Sequence, residues 1–212
     1  MILQYLFSHP EFFVVWLFSI VYAITVHEFS HAFAGDRLGD QTARSMGRLT
    51  LNPLSHLDMF GSIMLLIAGF GWGKPVPFNP YMLRYKRWGP AIISLAGPLS
   101  NFISVLIFGI LLKVLLGQGI IDDGNLLTLF LTALIQVNAI LGLFNLIPIP
   151  PLDGSKVLFS ALSDRYMNFK MTLERTGPMI LIGIIILDSV LGLSLLGSLF
   201  NGLINGIFSV FT

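Results

Sequence analysis

Apolar positions along this chain fall into long blocks rather than alternating with polar ones, and the polar positions collect between the blocks. Phe12 to Ala34 runs almost without charge, and Ser8-His9-Pro10-Glu11 before it has the form of a capping box with proline in the first turn. The pattern predicts a first helix reaching about Ala34 and stopped by Gly35 and Gly39. About 24 residues at 1.5 Å each suffice to cross a bilayer. The next block, Met59 to Phe70, is about 12 residues and too short to span. Asn52-Pro53, Gly61, Gly69, Gly71, Gly73, Pro75, Pro77 and Pro80 punctuate its surroundings, so residues 49–80 read as a re-entrant or short β-like membrane-embedded segment. Ala91 to Leu116 is a long span interrupted at Gly97-Pro98, and Asp122-Asp123-Gly124 makes the following turn. Leu126 to Ile147 spans again and ends at Pro148, Pro150 and Pro151. A shorter segment carries Lys156, Arg165, Lys170 and Arg175, after which residues 178–212 are apolar apart from Asp188. Ser194, Ser198, Gly202 and Gly206 recur there every fourth residue, a small-residue stripe suited to close helix packing. The predicted fold is an all-α polytopic membrane protein of about four to five transmembrane helices, one domain over residues 1–212.

Composition agrees. Of the 212 residues 55% are hydrophobic and 11% charged, where a soluble domain carries about 25% charge. The net charge of +1 gives no reason to expect nucleic acid. The absence of cysteine excludes disulfides and thiolate metal sites. Met1 to Phe7 has no basic residue and no small-residue cleavage site follows, so the first helix reads as retained rather than as a signal peptide. Eleven of the twelve Lys and Arg residues fall in three loops, 37–48, 74–87 and 156–175, while Lys113 sits near the far end of its span and can snorkel. The positive-inside rule puts those loops in the cytoplasm and the Asp122-Asp123 turn outside. That arrangement requires residues 59–70 not to cross, and it delivers the end of helix one and Asp153 to the same face.

Chemistry concentrates in His27-Glu28-Phe29-Ser30-His31. At 3.6 residues per turn the two histidines share a helix face with Glu28 at its edge. Two imidazoles so placed can hold zinc, and the carboxylate can take a proton from water. A bare glutamate in hydrocarbon would cost several kcal/mol, which a bound cation would offset. A catalytic zinc needs a third protein ligand. His9 is about 27 Å away along the helix and out of reach. Asp153 arrives at the right depth in a proline-broken backbone, although it could instead cap a helix beginning at Gly154. His56 and Asp58 are reserve candidates, or members of a hydrogen-bonded turn after Asn52-Pro53. Asp188 is an intramembrane carboxylate that reads as a structural bond in the bundle.

Three ordered stretches carry a resemblance: His27 to His31, Ala96-Gly97-Pro98-Leu99-Ser100-Asn101, and Asn145 to Gly154 with its Pro-Pro-Leu-Asp-Gly ending. Together they resemble the signatures of the site-2 protease family of intramembrane zinc metalloproteases. Residues 52–58 and 71–80 are similar to those of a compact prokaryotic branch without an inserted PDZ-like domain. The resemblance implies one zinc ion per chain held by His27, His31 and Asp153, Glu28 as general base, and Asn145 binding substrate or the developing oxyanion. It implies hydrolysis of a peptide bond within or near a transmembrane segment of a membrane-protein substrate, in the lipid bilayer of a prokaryotic plasma membrane, with the site near the cytoplasmic face. Oligomeric state stays open. Two rival classes are a zinc-binding membrane transporter, which calls for ligands spread through the membrane depth, and an inactive scaffold, which would be expected to have lost Glu28.

Overall fold

The computed structural model describes residues 7–68, 71–191 and 195–211. Among them the order is α1 (Pro10–Arg37), α2 (Thr42–Ser45), α3 (Met59–Ala68), α4 (Gly89–Gly117), α5 (Leu126–Asn145), α6 (Asp153–Ala161), α7 (Met167–Leu191) and α8 (Leu195–Phe211). The all-α class expected from the apolar blocks holds. Three helices, α1, α4 and α5, are long and apolar enough to cross a membrane, with mean hydropathies of 1.8, 2.3 and 2.1. The 25-residue α7 carries Lys170, Glu174 and Arg175 in its first half, and α8 has 17 residues.

Helices α1, α4 and α5 pack against one another in all three pairs, and the short α6 lies on α4. Val105 and Leu112 of α4 meet Leu131, Leu134, Ile135 and Ala139 of α5 in the core, which Ile204 and Phe211 of α8 close. The opposite face of α4 presents Leu99, Ile103, Leu106, Ile107 and Ile110 outward. In water such a stripe would be a liability, whereas in hydrocarbon it is the solvated surface. Lys113 reaches the end of α8, where its Nζ donates to the Val210 carbonyl at 2.7 Å.

Several local expectations are corrected. Helix α1 begins at Pro10 with His9, rather than Ser8, in the cap position and no cap bond from the His9 side chain. Residues 59–68 are helical, so of the two alternatives the β-like one does not describe them, and among the described residues the β pairing near them is one bridge between Leu57 and Gly73. A ten-residue helix bonds its own backbone, the requirement that an apolar setting imposes. Residues 71–79 after it are irregular apart from the bridge residue Gly73. In the small-residue stripe of α8, Gly202 and Gly206 look onto open space, and Ser194 lies outside the described residues.

Candidate metal centre

Helix α1 stacks His27 and His31 one turn apart, both buried, with their rings edge to face at 4.6 Å between centroids. Each ring is tied through Nδ1 to a group on α4. His31 Nδ1 lies 2.7 Å from the Ile93 carbonyl, which can only accept, so this nitrogen donates. His27 Nδ1 lies 2.6 Å from Asn101 Oδ1. Asn101 Nδ2 donates to the Ala23 carbonyl at 3.3 Å, which turns the amide oxygen toward the ring and makes His27 Nδ1 a donor too. As neutral imidazoles, both therefore present Nε2 lone pairs to the space between α1 and α4.

Asp153 enters that space from α6. The prolines after α5 end the helix and turn the chain back, so Asp153 becomes the first residue of α6. The turn is tight: a Cβ on Gly154 would stand 2.2 Å from the Leu146 carbonyl oxygen, so only glycine fits beside the aspartate. Asp153 Oδ2 sits 3.1 Å from His27 Nε2 and 3.2 Å from His31 Nε2. It does not cap α6, whose cap position is Leu152.

These donors fit a metal ion. Oδ2 is buried without an aligned hydrogen bond, and the atoms facing it are lone-pair nitrogens. Three electron-rich atoms pointed at one another repel unless a cation lies among them. The three donor atoms all lie within 4.8 Å of one another. Ligands at about 2.0–2.1 Å around a tetrahedral zinc stand roughly 3.3 Å apart, close to both Asp153 contacts. Gly97 leaves the room for this: its absent Cβ would lie 2.5 Å from Cε1 and Nε2 of His31 and 2.7 Å from Cε1 of His27.

Glu28 follows His27 on the α1 surface, and its Oε2 accepts a hydrogen bond from the Val76 backbone N–H at 3.1 Å. Residues 71–79 therefore lie against this carboxylate. Arg48 fixes them from the other side, its guanidinium donating to the Lys74 and Pro75 carbonyls at 2.5 and 3.1 Å. Burial lowers the Arg48 guanidinium below its ordinary value, and the Glu28 carboxylate opposes that shift. Asp40, fully buried, anchors the end of the segment by accepting from the Asn79 N–H at 2.6 Å.

The remaining candidates lie elsewhere. His56 is buried with Nε2 2.7 Å from the Thr50 carbonyl, and Asp58 accepts from the Gly61 N–H at 2.8 Å, so both belong to the turn before α3. Asp188 is half-buried in α7 and outside the donor cluster. Asn145, on the last turn of α5, donates to the Leu141 carbonyl at 3.1 Å.

The profile of peptidase family M50 matches residues 120–187, a stretch that contains Asn145 and Asp153. A candidate zinc metalloprotease of Bacillus subtilis, YwhC, is 42% identical over 147 residues, 66% of this chain and 65% of that protein. The chain resembles peptidase family M50, the site-2 protease family. It also resembles the candidate zinc metalloprotease Rip2 of Mycolicibacterium smegmatis, at 29% identity over 84% of this chain and 69% of that one. A similar match is the candidate zinc metalloprotease MJ0611 of Methanocaldococcus jannaschii, at 29% identity over 74% of this chain and 77% of that one. The match spans just under two thirds of YwhC. No solved structure matches.

The pattern-based reading missed four participants: Asn101 as an imidazole partner, Gly97 as the space for the rings, Val76 on Glu28, and Arg48 behind it. Gly97 and Asn101 stood in one of the recognised motifs, but nothing local says what they touch.

Proposed function

We propose that this protein is an intramembrane zinc metalloprotease that cleaves a peptide bond within or near a transmembrane segment of a membrane protein. One observation carries it: two imidazoles with donating Nδ1 atoms turn their lone pairs on a buried carboxylate oxygen that has no aligned donor. His27, His31 and Asp153 would hold one zinc ion per chain, leaving a position open for water or substrate. Zinc, when bound there, supplies Lewis-acid polarisation and acidifies water from 15.7 toward roughly 7.

The chain's own groups do the rest. Glu28, beside the ligands on α1, takes a proton from water as it attacks the carbonyl and returns it to the leaving amine. Asn145 is assigned to substrate or oxyanion binding, by the resemblance of its stretch to the family pattern. A hydrogen-bonded helix hides its carbonyls, so the substrate is cut where its backbone is unwound. Residues 71–79 offer main-chain groups with which such a strand pairs. Pairing there must also release the Val76 N–H from Glu28. The three basic loops support a prokaryotic plasma-membrane protein with the site toward the cytoplasm.

Substitution Glu28→Gln tests the reading, because it keeps volume and metal donors while removing the base. The expected result is retained zinc with cleavage of a model transmembrane substrate reduced about 100-fold or more. Unchanged processing would refute the role of Glu28, and purified protein without stoichiometric metal would refute the whole reading. An inactive scaffold would show no cleavage even in the wild type, and a transporter would move zinc across vesicles.

A further inference from the structure

The hydrogen bond that orients His27 does not end at Asn101. The second N–H of Asn101 Nδ2 donates to Asn138 Oδ1 at 2.9 Å, and Asn138 Nδ2 donates to the Leu134 carbonyl at 2.8 Å. Both amides have no exposed surface. Asn138 sits in the middle of α5, an apolar helix, where an amide side chain is costly unless its groups are satisfied. The chain has one polarity only. A backbone carbonyl can only accept, so Asn138 must turn Nδ2 to Leu134 and Oδ1 to Asn101. Asn101 must then turn Nδ2 to Asn138 and Oδ1 to His27, and the imidazole must donate from Nδ1 and offer Nε2. Reversing any member would put two acceptors, or two donors, face to face in a buried site.

We propose that Asn138 is a positioning residue of the metal site: through Asn101 it locks His27 in the tautomer and ring orientation that offer Nε2 to the ion. This rests on the zinc site proposed above. His31 lacks such a relay, since its Nδ1 partner is the rigid Ile93 carbonyl. Side-chain amides can flip and carbonyls of a helix cannot, so only the His27 branch needs a second residue to hold it. The Ala23 carbonyl gives Asn101 one anchor at 3.3 Å, but it leaves the other N–H of that amide for Asn138 to satisfy.

Two substitutions separate positioning from packing. Asn138→Leu keeps the branched shape with more bulk and removes the acceptor. Asn138→Asp keeps an acceptor toward Asn101 and, as the neutral carboxyl, a donor toward the Leu134 carbonyl. Zinc affinity of purified full-length protein, measured by chelator competition, should fall about 10–100-fold for Asn138→Leu. It should stay within about threefold of wild type for Asn138→Asp, on the scale where partners beyond the ligands count for tenfold or more. In cobalt-loaded protein each ligated histidine contributes one exchangeable, paramagnetically shifted ring N–H signal. Asn138→Leu should broaden or move one of the two and leave the other, held by Ile93, in place.

Equal zinc affinity in wild type and Asn138→Leu, or equal losses in the leucine and aspartate variants, would overturn the proposal. So would two unaltered N–H signals in the leucine variant. Should that variant fail to fold, Asn138→Ala is compared with Asn138→Asp by the same criteria. Wild-type protein that binds zinc while these comparisons fail removes the positioning role alone; wild-type protein that binds none removes the site as well.

Discussion

Adding one methyl group at residue 97 should empty the metal site. In Gly97→Ala the new carbon would stand 2.5 Å from His31 and 2.7 Å from His27, against an ordinary contact that begins at 3.4 Å. His31 must then retreat by 0.9 Å (3.4 − 2.5) and His27 by 0.7 Å (3.4 − 2.7). Neither ring can give way freely, because hydrogen bonds of 2.7 and 2.6 Å hold their Nδ1 atoms to α4, the helix that carries residue 97. Moving the whole helix instead would carry Ile93 and Asn101 away with it. Donor positions in a metal site are tolerated to about ±0.2 Å, so either escape exceeds what coordination allows. The expected loss is about 100-fold or more in zinc affinity, about 2.8 kcal/mol at 1.4 kcal/mol per decade. Proteolysis of a transmembrane substrate should fall with it and recover only partly when zinc is raised. Chelator competition measures the first effect and gel-based cleavage in proteoliposomes the second. Gly117→Ala is the control, since a Cβ at the end of the same helix meets nothing within 4 Å. There alanine should be neutral or stabilise by up to about 1 kcal/mol through helix propensity. A Gly97→Ala protein that binds zinc within threefold of wild type and cleaves normally would refute the geometry.

Removing metal with a chelator should abolish cleavage in the wild type, and stoichiometric zinc should restore it; activity that survives complete metal loss would contradict the donor cluster. Asp153→Ala removes the anionic donor and should lower zinc affinity by at least about 100-fold while the protein stays helical by circular dichroism. Arg48→Met frees the Lys74 and Pro75 carbonyls, so amide exchange over residues 71–79 should rise by about tenfold or more, with activity reduced. Unchanged exchange there would show that the segment is held by other groups.

How far the sequence could be read depended on how near in the chain the partners lie. His27, Glu28 and His31 were legible because one helical turn sets their spacing, and a turn is local physics. Asp153 was legible less directly. Counting basic loops brought it to the same membrane face as the histidines, and the structure brings it into contact with them. For residues 49–80 the sequence left a re-entrant and a short β-like segment open, and the β-like alternative came from the glycine and proline around residues 59–68. Gly61 lies inside the helix without breaking it, and the eight apolar residues of Met59–Ala68 leave the backbone to bond itself as a helix. The stripe of small residues on α8 was legible as a pattern but not as a contact, since spacing alone does not say what a helix faces.

The groups that complete the site were illegible for one shared reason. Asn101 meets His27 across 74 residues, Val76 meets Glu28 across 48, and Asn138 meets Asn101 across 37. No periodicity links such positions, and each is created by the packing of α1, α4 and α5 or by the return of residues 71–79. Yet each leaves a local anomaly: an amide in the middle of an apolar helix, or a glycine where a leucine would pack. In a membrane protein such anomalies mean more than they do in water, because hydrocarbon offers no solvent to satisfy a stray polar group. Asn138 could not stay buried in α5 without a partner, and its partner could not donate that bond without turning its oxygen to His27. The cost of burying one amide thus reaches, through two hydrogen bonds, the nitrogen that faces the metal.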